Sequence, residues 1–208
     1  MRSKRISATC AAFAAVAAVT AFGPTVSTQG TTPGTAYSDL VAVGGSGIQG
    51  QLRFIDSGTT LRTFSNAPVG GLNPAKTYVT LVYGLGSRGP GEASPICGRD
   101  TSLGFDQMFI SAWLLPGATS RTLDSTKLHT IFIQLLGTPL AQRAPGGVRL
   151  NEARTVSIRE FNPPPGSNPS SDPSSVLPFL IAWATGDIPP STFQLRSCGF
   201  IYAGNPPS

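Results

Sequence analysis

Side chains equipped for chemistry are few in this 208-residue chain. The single histidine, His129, opens an apolar β-forming run, His-Thr-Ile-Phe-Ile. A hydrolase triad would need it as base beside an activated serine, yet the sequence holds no G-x-S-x-G elbow. A polar residue at a strand start is the plainer reading of His129. The rival reading is an enzyme of another class, or a single-metal site in which Asp, Glu or Tyr side chains converge on it. Ser125-Thr126-Lys127 lacks the helix and companion motifs of the serine–lysine enzymes. Gly84-Leu85-Gly86-Ser87-Arg88-Gly89 spells the dinucleotide pattern, but Gly-Pro-Gly follows where a helix should begin, so the segment reads as a loop. The 10 carboxylates are scattered and give no positive sign of a paired-acid glycosidase. Trp113 and Trp183 lie in apolar runs, which favours core packing over stacking on sugars.

Three cysteines remain to be placed. Arg2, Lys4 and Arg5 precede an uncharged Ala/Val/Thr/Phe run from Ile6 to Phe22, the pattern of a secretory signal peptide. The run is short and alanine-rich for a membrane span of ~20 residues. Residues 1–27 are assigned to this leader, with cleavage near Ser27 because Pro24 is a poor residue after a cut. No transmembrane anchor is then expected after cleavage. Cys10 falls inside the leader, leaving Cys97 and Cys198 as an even pair in an oxidising compartment. A disulfide is the default for such a pair, and two free or metal-binding thiolates are the alternative. The leader carries three of the 15 basic residues and none of the 10 acidic ones, so the mature chain is close to neutral. Its Lys and Arg are scattered singly, which argues against nucleic acid as a partner.

The elements that must position these residues read as β structure. Gly 24 and Pro 19 cut the chain into short segments, and only 12% of residues are charged. After a flexible lead-in over 28–37, strands are expected over 48–54, 59–66, 77–83, 107–115, 123–136 (one or a pair), 155–159, 179–184 and 193–202. Residues 162–178 (NPPPGSNPSSDPSSVLP) read as a Pro/Ser-rich loop, and 204–208 as a tail. Strands with turn signals between them and no convincing amphipathic helix predict a β-sandwich over residues 38–203.

Four stretches carry a resemblance. The turn Gly70-Gly71-Leu72-Asn73-Pro74 leads into Thr77-Tyr78-Val79-Thr80-Leu81-Val82-Tyr83. This is similar to the G-L-x-P turn and G-F-H-V-H strand of the copper/zinc superoxide dismutase family. Gly44-Gly45-Ser46-Gly47-Ile48-Gln49-Gly50 resembles that family's first hairpin. Cys97-Gly98 falls in the loop after the third expected strand, where the family places its first disulfide cysteine. Ser197-Cys198-Gly199-Phe200-Ile201 is similar to the terminal A-C-G-V-I strand that carries the other. Arg196 lies near the family's guidance arginine, one residue closer to the cysteine. The resemblance implies an all-β Greek-key β-sandwich or flattened barrel of about eight strands, closed by a Cys97–Cys198 disulfide.

The chemistry implied by that family departs from this sequence. Its copper is held by several imidazoles, and its zinc by further histidines and an aspartate. The positions matching the copper pair fall within Thr80, Leu81, Val82 and Tyr83, and a single histidine cannot build a bimetallic site. The expectation is a secreted or envelope-associated binding protein with no catalytic residue, metal or cofactor; its partner is not read from the sequence, an extracellular protein or envelope component being the candidates. Residual dismutase-type activity is a further alternative.

Overall fold

The computed structural model describes residues 34–83, 97, 108–128, 150 and 153–206. The leader, the 84–89 glycine segment and His129 lie outside these residues. Nine strands are described: β1 (Gly34–Ala42), β2 (Gly50–Asp56), β3 (Thr60–Phe64), β4 (Tyr78–Tyr83), β5 (Met108–Leu114), β6 (Asp124–Leu128), β7 (Thr155–Phe161), β8 (Phe193–Phe200) and β9 (Tyr202–Ala203). One helix among them, α1 (Pro173–Thr185), is followed by a 3-10 turn at Pro190–Thr192. All pairings are antiparallel, in the order β5-β4-β7-β8-β1-β2-β3-β6, with β9 alongside β1. The two ends of that order, β5 and β6, approach each other, so the sheet nearly closes into a flattened all-β barrel. The chain passes between the two halves after β3, β5 and β6, connections of Greek-key type.

Alternation fills the interior. Ala36 and Leu40 of β1, Leu52 and Phe54 of β2, Leu61 of β3, and Val156 and Ile158 of β7 point inward into one apolar cluster. Such side chains contribute roughly 1.5–3 kcal/mol each on full burial. β1 joins the halves: it pairs with β2 from Gly34 to Leu40, and then Val41 and Ala42 pair with Cys198 and Ser197 of β8. Gly199 permits this switch, since a Cβ there would lie 2.4 Å from both the Asp39 carbonyl oxygen and the Ser38 hydroxyl. The β1–β2 turn uses Gly44, Gly45 and Gly47 at positive φ, in keeping with the expected glycine hairpin.

β4 is buried on both faces. Tyr78 and Val82 face the barrel interior, while Val79, Leu81 and Tyr83 face a second cluster outside it. α1 covers this outer face with Val176, Leu180 and Trp183, spaced i, i+4, i+7 on one side of the helix. Its ends are well marked. Asp172 caps the N-terminus through the Ser174 amide at 3.0 Å, and Pro173 occupies the first turn. Gly186, at φ 88°, ends it, with Gly186 N–H donating to Trp183 O and Asp187 N–H to Ala182 O, a Schellman pair.

Three sequence expectations are overturned by these elements. Residues 179–184, expected as a strand, are the C-terminal half of α1. The 162–178 loop stops at Asp172, because residues 173–178 are helical despite Pro178. Residues 34–37, expected as lead-in, already belong to β1, whose small inward side chains Ala36 and Ser38 gave little apolar signal. Cys97 consequently follows the fourth strand and not the third. The disulfide itself is present: Cys97 and Cys198 are joined at 2.04 Å, with Cα atoms 5.7 Å apart. It spans 101 residues and constrains the unfolded chain by up to ~4.7 kcal/mol on the chain-entropy account.

Candidate functional site

The residues singled out by sequence divide between two faces of the second half-sheet. Of the four residues within which the resemblance sets the copper pair, Leu81 and Tyr83 are buried in the outer cluster that includes α1. Thr80 and Val82 alternate into the interior, both fully buried. Arg159 of β7 occupies the polar centre of the outer face and is 6% exposed. Its Nε donates to Tyr83 Oη at 2.9 Å, one terminal nitrogen to Phe193 O at 2.8 Å, and the other to Cys97 O at 2.6 Å. The guanidinium lies 4.8 Å from the Trp183 ring centroid. Tyr83 Oη is also 2.9 Å from Ser157 Oγ. Arg159 therefore ties together the disulfide loop, β4, β8 and α1, with neutral groups in every partner position. Among the described residues no group of three or more His, Cys, Asp or Glu side chains is arranged to hold a metal.

Of the other residues raised by sequence, Trp183 is buried and donates from Nε1 to Pro190 O at 3.3 Å, and Trp113 packs half-buried against the outer cluster. Both act in packing. Ser125 and Thr126 lie on β6, paired with Thr63 and Arg62 of β3.

The inner side of the same strands opens at one end of the barrel into a groove of about 180 Å³. Ser46, Ile48, Gly71, Asn73, Tyr78, Glu160 and Arg196 line it. Two local features build it. Gly71, at φ 78°, lets the 70–74 turn lie against the β1–β2 hairpin, where a Cβ would meet Gly47 O at 2.2 Å. On β8 the register with β7 shifts between Ile158↔Ser197 and Arg159↔Leu195, leaving Arg196 as the extra residue of a bulge. Bulges re-aim side chains. Here Arg196 turns toward the mouth, away from the outer face that carries Leu195, Cys198 and α1.

The charges at the mouth form one network. Arg196 Nε donates to Glu160 Oε2 at 3.0 Å, and Lys76 Nζ lies 3.6 Å from Glu160 Oε1 and 2.9 Å from Asn162 Oδ1. The Ser46 hydroxyl and the Val43 amide both donate to the Arg196 carbonyl, which anchors the bulge. Tyr78 Oη accepts from the Asn73 amide at 2.8 Å. Arg121 sits 5.8 Å from the Tyr78 ring centroid and donates to the carbonyls of Asn73, Leu114 and Ala118. Burial chiefly pushes the Tyr78 phenol above the ordinary tyrosine range and the Glu160 charge adds to this, while the Asn73 amide, Arg121 and Arg196 pull it back. Burial lowers Arg121 from its ordinary value.

Sequence reading flagged Arg196 and the 70–83 stretch that holds Lys76, but gave Lys76 no role and did not single out Glu160 or Arg121. These stand far apart in sequence, and only the strand register brings them together. No family model matches the chain, and neither does any curated protein or solved structure.

Proposed function

We propose that the chain is an exported, non-catalytic binding protein on a superoxide dismutase-like barrel, whose metal-bearing face has become a hydrophobic core. The carrying observation is the outer face of β4. Leu81 and Tyr83, within the residues that the resemblance sets at the copper pair, are buried in the same apolar cluster as Val176, Leu180 and Trp183 of α1. The Tyr83 hydroxyl there is taken by Arg159 and Ser157. This set of groups does not fit copper, which favours imidazole nitrogen, and a guanidinium in its place repels a cation. The basic-then-apolar leader and the Cys97–Cys198 disulfide support an extracytoplasmic setting, since such bonds persist outside reducing compartments. Binding is supported by the mouth groove, where Glu160 is held by the two cations Lys76 and Arg196.

The test is metal content and dismutase turnover of the mature protein after loading with copper and zinc. The expected outcome is sub-stoichiometric metal and no turnover above free copper. Stoichiometric copper with turnover would overturn the proposal.

A further inference from the structure

The mouth groove offers donors whose partners are missing and acceptors that are already engaged. Glu160 has one carboxylate oxygen on Arg196 and the other beside Lys76. Ser46 Oγ donates to Arg196 O and accepts from the Ile48 amide. Asn73 Oδ1 accepts from the Ala75 amide. What remains on the lining is the O–H of Tyr78, whose oxygen already accepts, the side-chain NH2 of Asn73, and the terminal nitrogens of Arg196. The last have no protein acceptor among the described residues. The phenol, like any tyrosine, is protonated across the neutral range, and burial moves its ionisation to still higher pH. Two cations, Lys76 and Arg196, share the one carboxylate of Glu160, so the mouth carries an excess of positive charge, and Arg121 stands nearby against the Tyr78 ring.

We infer that this groove binds a small oxyanion, a carboxylate or a phosphate group, on the guanidinium of Arg196 with Tyr78 Oη–H and the side-chain NH2 of Asn73 as further donors. A planar guanidinium with unused N–H groups suits a two-oxygen anion, and neighbouring neutral donors fix its orientation. The groove, about 180 Å³ and open to solvent, has room for a small free anion or for one acidic group carried on a larger molecule. The site is distinct from the outer face of β4, because the bulge at Arg196 turns its side chain to the other side of the sheet. The inference deepens the reading of the chain as a binding protein and rests on it.

The experiment is a nitrogen-15 NMR titration of the mature protein with sodium acetate and, separately, with inorganic phosphate. Each is referenced to sodium chloride at equal ionic strength. Saturating shifts at the Asn73 side-chain NH2 and Arg196 Nε–H are expected with at least one of the two. Saturation by acetate alone assigns a carboxylate, by phosphate alone a phosphoryl group, and by both a general oxyanion site. Shifts that follow ionic strength without saturation in both titrations overturn the inference. Glu160→Gln removes the competing negative charge and should tighten binding about fivefold, the scale of one partly exposed charge pair. Weaker binding in Glu160→Gln would overturn the assignment of an anion. Arg196→Gln should abolish saturation. If that variant fails to fold, Tyr78→Phe, which keeps the ring, serves instead and should weaken binding about threefold, one neutral hydrogen bond's worth. Absent saturation in a protein that also takes up no copper discards the ligand class alone, whereas copper with turnover discards the binding reading.

Discussion

Arg159 and Arg196 occupy neighbouring strands but opposite faces, and they spend their charge differently. Arg159 is sealed beneath α1, with all three nitrogens donating to neutral oxygens and its flat face against Trp183. Arg196 spends one nitrogen on Glu160 and keeps the other two at the mouth of a groove. A buried guanidinium costs several kcal/mol to desolvate unless its donors are met by protein groups. At Arg159 that cost is offset by joining four separate segments, and nothing is left over for a ligand. At Arg196 partial exposure lowers the cost and leaves donors in hand. Two cations of one residue type thus divide between architecture and recognition according to how many acceptors the fold supplies.

Substitutions can break that contrast. The largest effect is expected at Arg159. Arg159→Met keeps most of the side-chain volume but strands the carbonyls of Phe193 and Cys97 and the hydroxyl of Tyr83 in a dry interior. Urea unfolding should show a loss of about 3 kcal/mol or more, and Arg159→Lys should recover little of it because one ammonium cannot reach three divergent acceptors. A loss below about 1 kcal/mol would show that the three bonds carry no weight. At Arg196 the expected loss on substitution by Met is smaller, about 1–2 kcal/mol, since Glu160 retains Lys76 and some water. Arg196→Lys should lie near the wild type. Equal losses at the two arginines would erase the distinction.

The smallest effect concerns pH. Tyr78 is an acid whose folded pKa is raised by burial, so above pH ~10, where an unfolded tyrosine ionises, the native state holds the proton longer than the unfolded one. Its contribution is fully present below that pH and is lost as pH rises from there through the folded value. Urea midpoints measured from pH 8 to 11 should fall less steeply in Tyr78→Phe than in the wild type. Identical slopes would show that the phenol stays as solvated as in the unfolded chain.

Much of this could be read from residues alone, for reasons of period and punctuation. β4 was legible because Tyr-Val-Thr-Leu-Val-Tyr is β-branched and aromatic throughout, and a strand buried on both faces shows no polar alternation to confuse it. The Cys97–Cys198 bond followed from parity and export. α1 was missed although its signals were present. Asp172-Pro173 is an N-cap followed by a first-turn proline, Gly186 is a left-handed stop, and Val176, Leu180 and Trp183 keep helical spacing. Pro178 and the proline-rich run before it outweighed them, because proline inside a helix costs about 3 kcal/mol in isolation. Burial in the outer cluster, with Phe179 against Phe161 of β7 and Trp183 against Phe193 of β8, overrode that local preference. The groove was illegible for a different reason. Lys76, Arg121, Glu160 and Arg196 come from four segments, and the direction of Arg196 depends on a single bulged residue that no composition or period announces.

The pairing of β1 with β8 and β9 carries a consequence for how the molecule comes into being. The first described strand finds its partners in the last two, with Ala36 opposite Ala203 and Val41 opposite Cys198. A chain emerging from its N-terminal side can form the β1–β2–β3 meander early, but it cannot close until the final strands arrive. Non-local topologies of this kind pay loop-closure entropy before they gain contacts, and they fold on the scale of milliseconds to seconds. Until then β1 presents an open edge. Under the proposed export, such a chain would pass a transport channel more easily as an extended thread than as a finished barrel, and would acquire its shape on the far side, where its sulfurs could also be oxidised.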